Sequence, residues 1–414
     1  MNSLKVLGLS FVLCAAISCK DNQEENKTSS EATEAVENKL TKSISEEKID
    51  SVTQLAANQY LSMAGKIVEG EYPKTFYPKK EEFEASNSGW WTSGFYPGTL
   101  LYLYEETGKD TLKQEAERIL AHLEREAKNT STHDLGFMMY CSFGNANRID
   151  PKPEYNDILM ESAKSLATRY NDTVKAIRSW DSAPWNKAEK GDLVVIIDNM
   201  MNLELLFWAA DHSGNERYRE IAINHANTTM KNHFRDDYST YHELIYDEQT
   251  GEAKSKITAQ GFADESSWAR GQAWGLYGYT LMYRETKDQK YLDQAKNIAK
   301  FILEHPNMPE DMVPYWDFDA EDIPDDLRDS SAAAVIASAL LELYKYTDDE
   351  NYFNAAEKML SSLMSDEYLA KQNELGGFLL KHGVGSKPAN SEVDVPLTYG
   401  DYYFVEALKR YEEL

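Results

Sequence analysis

Two aspartates, Asp134 and Asp198, have sequence surroundings that suit acid–base chemistry. Asp198 lies in the strongly apolar run from Val194 to Met201. Burial among apolar side chains disfavours a charged carboxylate, so we expect the pKa of Asp198 to be raised towards neutrality, as suits a general acid. Asp134 follows His133 and is the second candidate. A pair of carboxyl groups is also the machinery of ordinary glycosidases. For each aspartate, the alternative is a structural role as a helix cap or a buried, hydrogen-bonded acid.

Metal and nucleotide chemistry find no support in the sequence. The eight histidines include no H-x-x-x-H or H-E-x-x-H pair, and the three cysteines offer no metal-binding spacing. No glycine-rich phosphate loop precedes a predicted helix. We therefore expect no cofactor and no metal ion.

The elements that must position these residues form a helical repeat. Four segments each end an apolar, helix-periodic stretch in a short polar turn, followed by a Leu or Tyr with an alanine four residues later. These pairs are Leu112/Ala116, Tyr218/Ala222, Tyr291/Ala295 and Tyr352/Ala356. The periodicity predicts about twelve helices, over residues 46–65, 92–106, 111–127, 134–147, 155–170, 194–211, 215–233, 266–285, 289–304, 329–346, 350–366 and 398–412. No stretch shows the sustained alternation of a strand.

Six helical hairpins without strands can form an open solenoid or a closed ring. The last helix favours closure, because the segment from Tyr402 to Leu408 is apolar on more than one face. In a closed ring, alternate helices are parallel, so the polar and aromatic residues that open every second helix converge on one face. Helix capping explains part of this pattern, but the helix dipole disfavours Arg270 at an N-terminus. Tryptophans, acids and one arginine on a shared face indicate a carbohydrate site.

Composition excludes several classes of protein. The formal net charge of −27, from 43 Lys+Arg and 70 Asp+Glu, argues against binding to a nucleic-acid backbone. Three cysteines cannot build a disulfide framework. With 42% hydrophobic and 12% aromatic residues over 414 positions, the chain has the material for a large core.

The N-terminus has the pattern of an export signal. Lys5 is followed by an apolar run, and Ala16-Ile-Ser-Cys19 resembles a bacterial lipobox, which implies cleavage before Cys19 and lipidation of its thiol. An ordinary cleaved signal is the alternative. We expect a lipoprotein signal peptide over residues 1–18, a disordered tether over 19–44 and one domain over 45–414. The expected location is the outer membrane, or a periplasm-facing membrane, of a Gram-negative bacterium, with the lipid as the only membrane contact.

A set of motifs then carries a family resemblance. The longest runs from Gln260 to Trp274 and contains Ser-Ser-Trp-Ala-Arg-Gly-Gln-Ala-Trp. The others are His133–Phe137, Ile197–Asn202, Pro314–Phe318, Arg328–Ala332 and Gly400–Tyr403. In this order, from about residue 85 to the end, they resemble the unsaturated glucuronyl hydrolases of glycoside hydrolase family 88. The resemblance implies an all-α fold, an (α/α)6 barrel of six helical hairpins.

The resemblance also implies an activity and a set of site residues. The family removes the terminal 4,5-unsaturated uronic acid that polysaccharide lyases leave on oligosaccharides, by hydrating the C4=C5 vinyl ether. Asp198 would protonate C4 and help to activate water for attack at C5, while Asp134 would hold substrate hydroxyls and tune Asp198. The sugar site would be lined by His133, Trp180, His242, Gln260, Arg270 and Trp274, with Trp91 and Trp268 as aromatic walls. Arg270 would pair with the uronate carboxylate.

Two alternatives stay open at this point. A non-catalytic, surface glycan-binding lipoprotein would also be helical and rich in Trp, but it would not need paired buried acids. The related unsaturated rhamnogalacturonyl hydrolases are a closer alternative. In family members that accept sulfated sugars, Ser and Lys lie in the C-terminal loop, which here offers Ser386 and Lys387. That match is partial, and a plain surface turn is the alternative.

Overall fold

The computed structural model describes residues 40–181 and 188–414. Residues 42–414 form one compact unit. The expected signal peptide, Cys19 and the tether up to residue 39 lie outside the described residues. The compact unit begins before residue 45, because Ser43 N donates to Glu357 Oε1 at 2.6 Å and Ile44 is buried.

Twelve α-helices lie in the described part of the chain. They are α1 (Glu46–Ala64), α2 (Phe95–Thr107), α3 (Asp110–Leu123), α4 (Asn145–Ile149), α5 (Pro153–Ala167), α6 (Leu203–Ser213), α7 (Glu216–Asn232), α8 (Ala269–Thr286), α9 (Gln289–Glu304), α10 (Ser330–Thr347), α11 (Glu350–Leu363) and α12 (Thr398–Glu412). A π-helix, Gly136–Gly144, runs directly into α4, and a 3-10 helix, Ile197–Asn202, runs into α6. None of the helices in these ranges is long and apolar enough to cross a membrane.

The helices form a closed double ring. The inner ring follows α2, the π-helix, α6, α8, α10 and α12, and contacts between α12 and α2 close it. The outer helices are α1, α3, α5, α7, α9 and α11. Inner and outer helices differ in how their apolar side chains are distributed. The inner helix α10, rich in Ala, is buried on all sides over Ser330–Leu343, whereas the outer helix α9 buries one face, as an amphipathic helix does. The predicted (α/α)6 barrel is confirmed.

The expectation of a chain without strands is wrong. The described residues contain nine short strands: β1 (Glu71–Tyr77), β2 (Glu82–Asn87), β3 (Tyr170–Asn171), β4 (Ala176–Ile177), β5 (Asp192–Ile196), β6 (Glu243–Asp247), β7 (Ala253–Ile257), β8 (Gly383–Ser386) and β9 (Ser391–Val395). The strands β5, β6 and β7 form an antiparallel sheet, in which Val194 pairs with Ile245. The helix predicted over 194–211 therefore begins late, because the β-branched run Val194–Ile197 favours extended backbone.

Two further predicted boundaries need correction. The helix predicted over 134–147 is mainly the π-helix, a form that is rare and often found at functional sites. The helix predicted from residue 92 begins at Phe95, which leaves Trp90 and Trp91 in the preceding turn. Both changes lie at the N-terminal ends of inner helices, where the candidate residues gather.

Candidate active site

The segments that carry Asp134 and Asp198 are held together by a close backbone approach. A Cβ atom at Gly136 would lie 2.4 Å from the Cα of Asn202, so only glycine fits at this contact. Across it, Phe137 N donates to the side-chain oxygen of Asn202 at 3.1 Å. The first turn of the π-helix and the 3-10 helix are thereby fixed against each other. Asp134, two residues before the π-helix, then lies close enough to Asp198 in the 3-10 helix to influence its pKa.

Asp198 is buried, with 9% of the residue exposed. Burial is the main reason that its pKa is raised to about 7; the positive charge of Arg270 acts against this rise and the charge of Asp134 adds to it. Its Oδ2 lies 3.7 Å from His242 Nε2, too far for a hydrogen bond, and has no hydrogen-bond partner among the described residues. The side chain can therefore hold a proton near neutral pH and offer it to a bound molecule.

Asp134 is largely buried as well, with 13% of its side chain exposed. Burial raises its pKa to about 7, while the Thr132 hydroxyl, which donates to Oδ2 at 3.1 Å, and the charge of Arg169 act against this rise. His133 Nε2 lies 3.2 Å from Asp134 Oδ1. The raised pKa expected for Asp198 is thus found, and Asp134, for which none was expected, shares it.

Aromatic rings connect the other predicted residues into one wall. The Trp180 ring centroid lies 6.2 Å from that of His133 and 6.2 Å from that of His242, and His242 lies 5.0 Å from Trp268. The indole N–H of Trp274 faces Asp198 and acts against the rise of its pKa.

A second group of rings packs around Tyr399 and includes Trp274. The Trp91 ring packs 4.9 Å from that of Tyr399, and Trp274 packs 6.4 Å from Tyr399. Tyr399 was not predicted as a site residue, although it lies in the aromatic cluster that opens the last inner helix. Asn202, which fixes Phe137, was also missed; it lies four residues after Asp198 in the same motif.

Arg270 is buried at the start of α8 and has many partners. Its guanidinium donates to Asp329 Oδ2 at 2.9 Å, to Gly385 O at 2.5 Å, to Val384 O and to Gln260 Oε1 at 3.4 Å. The guanidinium carbon Cζ of Arg270 also lies 4.6 Å from the Trp268 ring centroid. The unfavourable N-terminal position is thus compensated by a buried carboxylate. A bidentate pairing with a substrate carboxylate would have to displace some of these partners.

Several buried polar atoms at this site lack hydrogen-bond partners within the described residues: Asp198 Oδ2, His133 Nε2, both ring nitrogens of His242 and Trp274 Nε1. Buried polar groups are almost always paired, so a cluster of such atoms marks a place where a polar ligand binds. Donors and acceptors surrounded by Trp rings suit the hydroxyls and faces of a sugar ring. Within residues 40–181 and 188–414, no group of three His, Cys, Asp or Glu side chains has the arrangement of a metal site.

The hairpin of β8 and β9 brings Ser386 and Lys387 towards this region through Gly385, whose carbonyl contacts Arg270. Lys387 Nζ donates to Asp326 Oδ1 at 2.8 Å and lies 4.7 Å from the Trp316 ring centroid. A larger residue would clash at position 385, because a Cβ there would lie 2.7 Å from Glu392 Cβ. Lys387 is thus near the site but already paired.

Comparisons with known proteins agree with this geometry. The model of Glycosyl Hydrolase Family 88 matches residues 64–412. The unsaturated glucuronyl hydrolase of Formosa agariphila is 45% identical over 415 residues, which cover 99% of this chain and 97% of that protein. The unsaturated chondroitin disaccharide hydrolase of Streptococcus pyogenes is 34% identical over 88% of this chain and 93% of its own.

Solved structures give the same result. The crystal structure of an unsaturated glucuronyl hydrolase specific for heparin superposes with a TM-score of 0.86 at 47% identity, covering 89% of this chain and 98% of that one. An Asp-to-Asn variant of the Streptococcus agalactiae enzyme, in complex with dGlcA-GalNAc6S, superposes with a TM-score of 0.76 at 31% identity, covering 92% and 97%. The chain therefore belongs to glycoside hydrolase family 88, the unsaturated glucuronyl hydrolases.

Proposed function

We propose that this enzyme releases the terminal 4,5-unsaturated uronic acid from lyase-generated oligosaccharides by hydrating the C4=C5 bond. Asp198 gives its proton to C4, and the positive charge that develops at C5 is shared with the ring oxygen. Water adds to C5 and returns a proton to the Asp198 carboxylate. The C5 hemiketal then opens and the remaining saccharide leaves from C1. A polysaccharide lyase must act first, because it creates the double bond.

The observation that carries this proposal is the state of Asp198. It is buried, its pKa is raised to about 7, and Oδ2 has no hydrogen-bond partner among the described residues. A glycan-binding protein has no use for an acid in this state, whereas protonation of an alkene carbon requires one. The Trp rings beside it support the sugar faces.

The test of the proposal is turnover in heavy water. We expect loss of the ultraviolet absorbance of the conjugated alkene for unsaturated disaccharides from one or more of heparin, chondroitin, hyaluronan, gellan and ulvan. Solvent deuterium should enter the product at C4, and saturated glucuronides should be inert. Hydrolysis of saturated glucuronides would instead indicate an ordinary two-carboxylate glycosidase. Product without deuterium at C4 would contradict Asp198 as the proton donor.

Lys387 and Ser386 are proposed to contact a sulfate group on the sugar next to the uronate. The ion pair with Asp326 limits this contact, because an incoming sulfate competes with a carboxylate 2.8 Å from Nζ. We expect Asp326→Asn to raise kcat/KM for a sulfated disaccharide a few-fold relative to its unsulfated counterpart, since a partly exposed ion pair contributes about 1 kcal/mol or less. Adding Lys387→Ala should remove the gain. An unchanged ratio in Asp326→Asn would exclude the role.

We propose that Cys19 anchors the protein to a bacterial membrane through a lipid. The support is the Ala16-Ile-Ser-Cys19 sequence after an apolar run. Cys19→Ala should abolish labelling by a radioactive fatty acid in the native host and release the protein from the membrane fraction. Cys141→Ala, at the cysteine inside the barrel, is the matched control. Labelling that persists in Cys19→Ala would contradict the anchor.

A further inference from the structure

The sequence motif Pro314–Phe318 contains a buried carboxyl group that the proposed reaction does not use. Asp317 has no exposed surface, and within residues 40–181 and 188–414 no Lys, Arg or His side chain forms an ion pair with it. A buried carboxylate without a counter-ion is costly unless hydrogen bonds satisfy it. The partners of Asp317 therefore indicate what this residue holds in place.

Each of these partners donates a hydrogen bond to the carboxylate. Asp317 Oδ2 accepts from Phe262 N at 2.8 Å and from the Ser266 hydroxyl at 2.7 Å. Its Oδ1 accepts from Asp319 N at 2.9 Å. Phe262 and Ser266 belong to the connection between β7 and α8, over residues 258–268, which we call the rim loop. Two of the three bonds thus tie the rim loop to a single buried side chain.

The two ends of the rim loop are held in different ways. At its end, a backbone bond of 3.1 Å from Ala269 N to Trp316 O places the neighbouring Trp268, and side-chain substitution leaves this bond intact. Near its start, the loop folds closely over the carboxylate, since a Cβ atom at Gly261 would lie 2.6 Å from Asp317 Oδ2. The side chain of Asp317 therefore controls the first half of the loop.

That first half carries Gln260, whose Oε1 lies 3.4 Å from Arg270 Nη2. Arginine only donates, so the amide oxygen has to face Arg270 and the amide NH2 group is turned to the other side, where it can donate to a ligand. Gln260 lies two residues before Phe262, so their Cα atoms are at most about 7 Å apart. Movement of the loop at Phe262 would therefore displace Gln260 from Arg270.

We propose that Asp317 is a positioning residue: by anchoring the rim loop, it places Gln260 beside Arg270. This inference rests on the proposed function, because the ligand for the amide of Gln260 is the unsaturated uronate. Arg270 is already engaged by Asp329 and by two backbone carbonyls, so a correctly placed donor beside it adds to the attraction for the sugar. Without the anchor, the amide has to be ordered when the substrate binds, which lowers affinity more than it lowers catalytic power.

Hydrogen exchange followed by mass spectrometry tests the anchor without substrate. In Asp317→Ala, amides in a peptide over residues 258–267 should exchange about tenfold faster, because Phe262 N has lost its acceptor. Peptides of α8 and α10 should keep their native rates. Ser266→Ala removes only the hydroxyl bond, so it should give a smaller change in the same peptide, and it guards against misfolding of Asp317→Ala.

A double-mutant cycle with Gln260→Ala gives the second measurement. In the native background, Asp317→Ala should raise KM for an unsaturated disaccharide about three- to tenfold, the cost of ordering one side chain, with a smaller effect on kcat. In the Gln260→Ala background, the same substitution should leave KM unchanged, because the residue that it positions is gone. Asp317→Asn should bring KM back towards native, since its amide oxygen can accept both bonds that Oδ2 accepts.

Unchanged exchange of the 258–267 peptide in both Asp317→Ala and Ser266→Ala would overturn the inference. An equal rise of KM in the two backgrounds would overturn it as well, because Asp317 would then act without Gln260. If the peptide exchanges faster as expected but the native enzyme turns over no unsaturated uronate, the proposed function fails while the anchoring of the rim loop stands.

Discussion

Replacing Asp198 by asparagine is expected to lower kcat by about 10²–10⁴-fold, the usual contribution of general acid–base catalysis. The amide has the same shape and still forms hydrogen bonds, but it has no proton to give to C4. Binding of the disaccharide should change little, because the aromatic walls and His133 are untouched. Calorimetric titration of the variant with an unsaturated disaccharide, beside initial rates, separates the two quantities.

The pH dependence has a definite sign. The acid form of Asp198 is present below its raised pKa and is lost as the pH rises through about 7. The native kcat should therefore fall on the alkaline side of that value, whereas a residual rate in Asp198→Asn should lack this limb. A variant that keeps both native kcat and the alkaline limb would show that another group supplies the proton.

Asp401 provides a matched control. It is buried even more completely, with no exposed surface, and burial raises its pKa to about 7. Both of its oxygens are bonded, however: Oδ2 accepts from Leu379 N at 2.9 Å and from Tyr60, and Oδ1 accepts from Leu380 N at 3.0 Å. Asp401→Asn should lower stability but leave kcat per folded molecule near native. Asp198 and Asp401 both have a raised pKa, and only Asp198 has an oxygen without a hydrogen-bond partner among the described residues. A difference in kcat between the two variants would therefore show that catalysis requires the unbonded oxygen as well as the raised pKa.

The helical part of the fold could be predicted because its signals are local. A Leu or Tyr followed by Ala four residues later marks the packed face of a helix whatever lies elsewhere in the chain, as at Tyr291/Ala295 and Tyr352/Ala356. The strand Asp192–Ile196 could not be predicted in the same way. It is paired with Glu243–Asp247, and a run of buried apolar residues is compatible with a helix until that distant partner is known.

The residues of the active site also divide into those with a local sequence signal and those whose partners are distant in the sequence. The apolar run around Asp198 is enough to predict a raised pKa, because desolvation by neighbours in sequence is a local effect. The partner of Arg270 was not predictable in this way: Asp329 lies 59 positions along the chain. Without that partner, the sequence suggested a free cation for the substrate carboxylate, whereas the structure shows a buried, neutralised pair.

The second large effect should therefore follow removal of that guanidinium. Arg270→Met keeps much of the length of the side chain but leaves the carboxylate of Asp329 and the carbonyls of Val384 and Gly385 without their donor. Breaking a buried ion pair by removing one member costs about 3–5 kcal/mol, because the remaining charge stays buried and unpaired. Asp329 is fully buried, but its Oδ1 keeps hydrogen bonds from Ser331 N, Ser331 Oγ and Val384 N, so the lower part of this range applies. Urea unfolding followed by circular dichroism measures the loss.

Two further variants show where that cost arises. Arg217→Met removes an exposed arginine that pairs with Asp172 at 2.9 Å and should have little effect on unfolding. In the double variant Arg270→Met with Asp329→Asn, no buried charge is left, so part of the stability should return. If Arg270→Met costs no more than Arg217→Met, the guanidinium is not what ties the β8–β9 hairpin to the barrel. If Arg270→Met is as stable as native but fails to bind the uronate, its main role is the substrate carboxylate, as the sequence alone suggested.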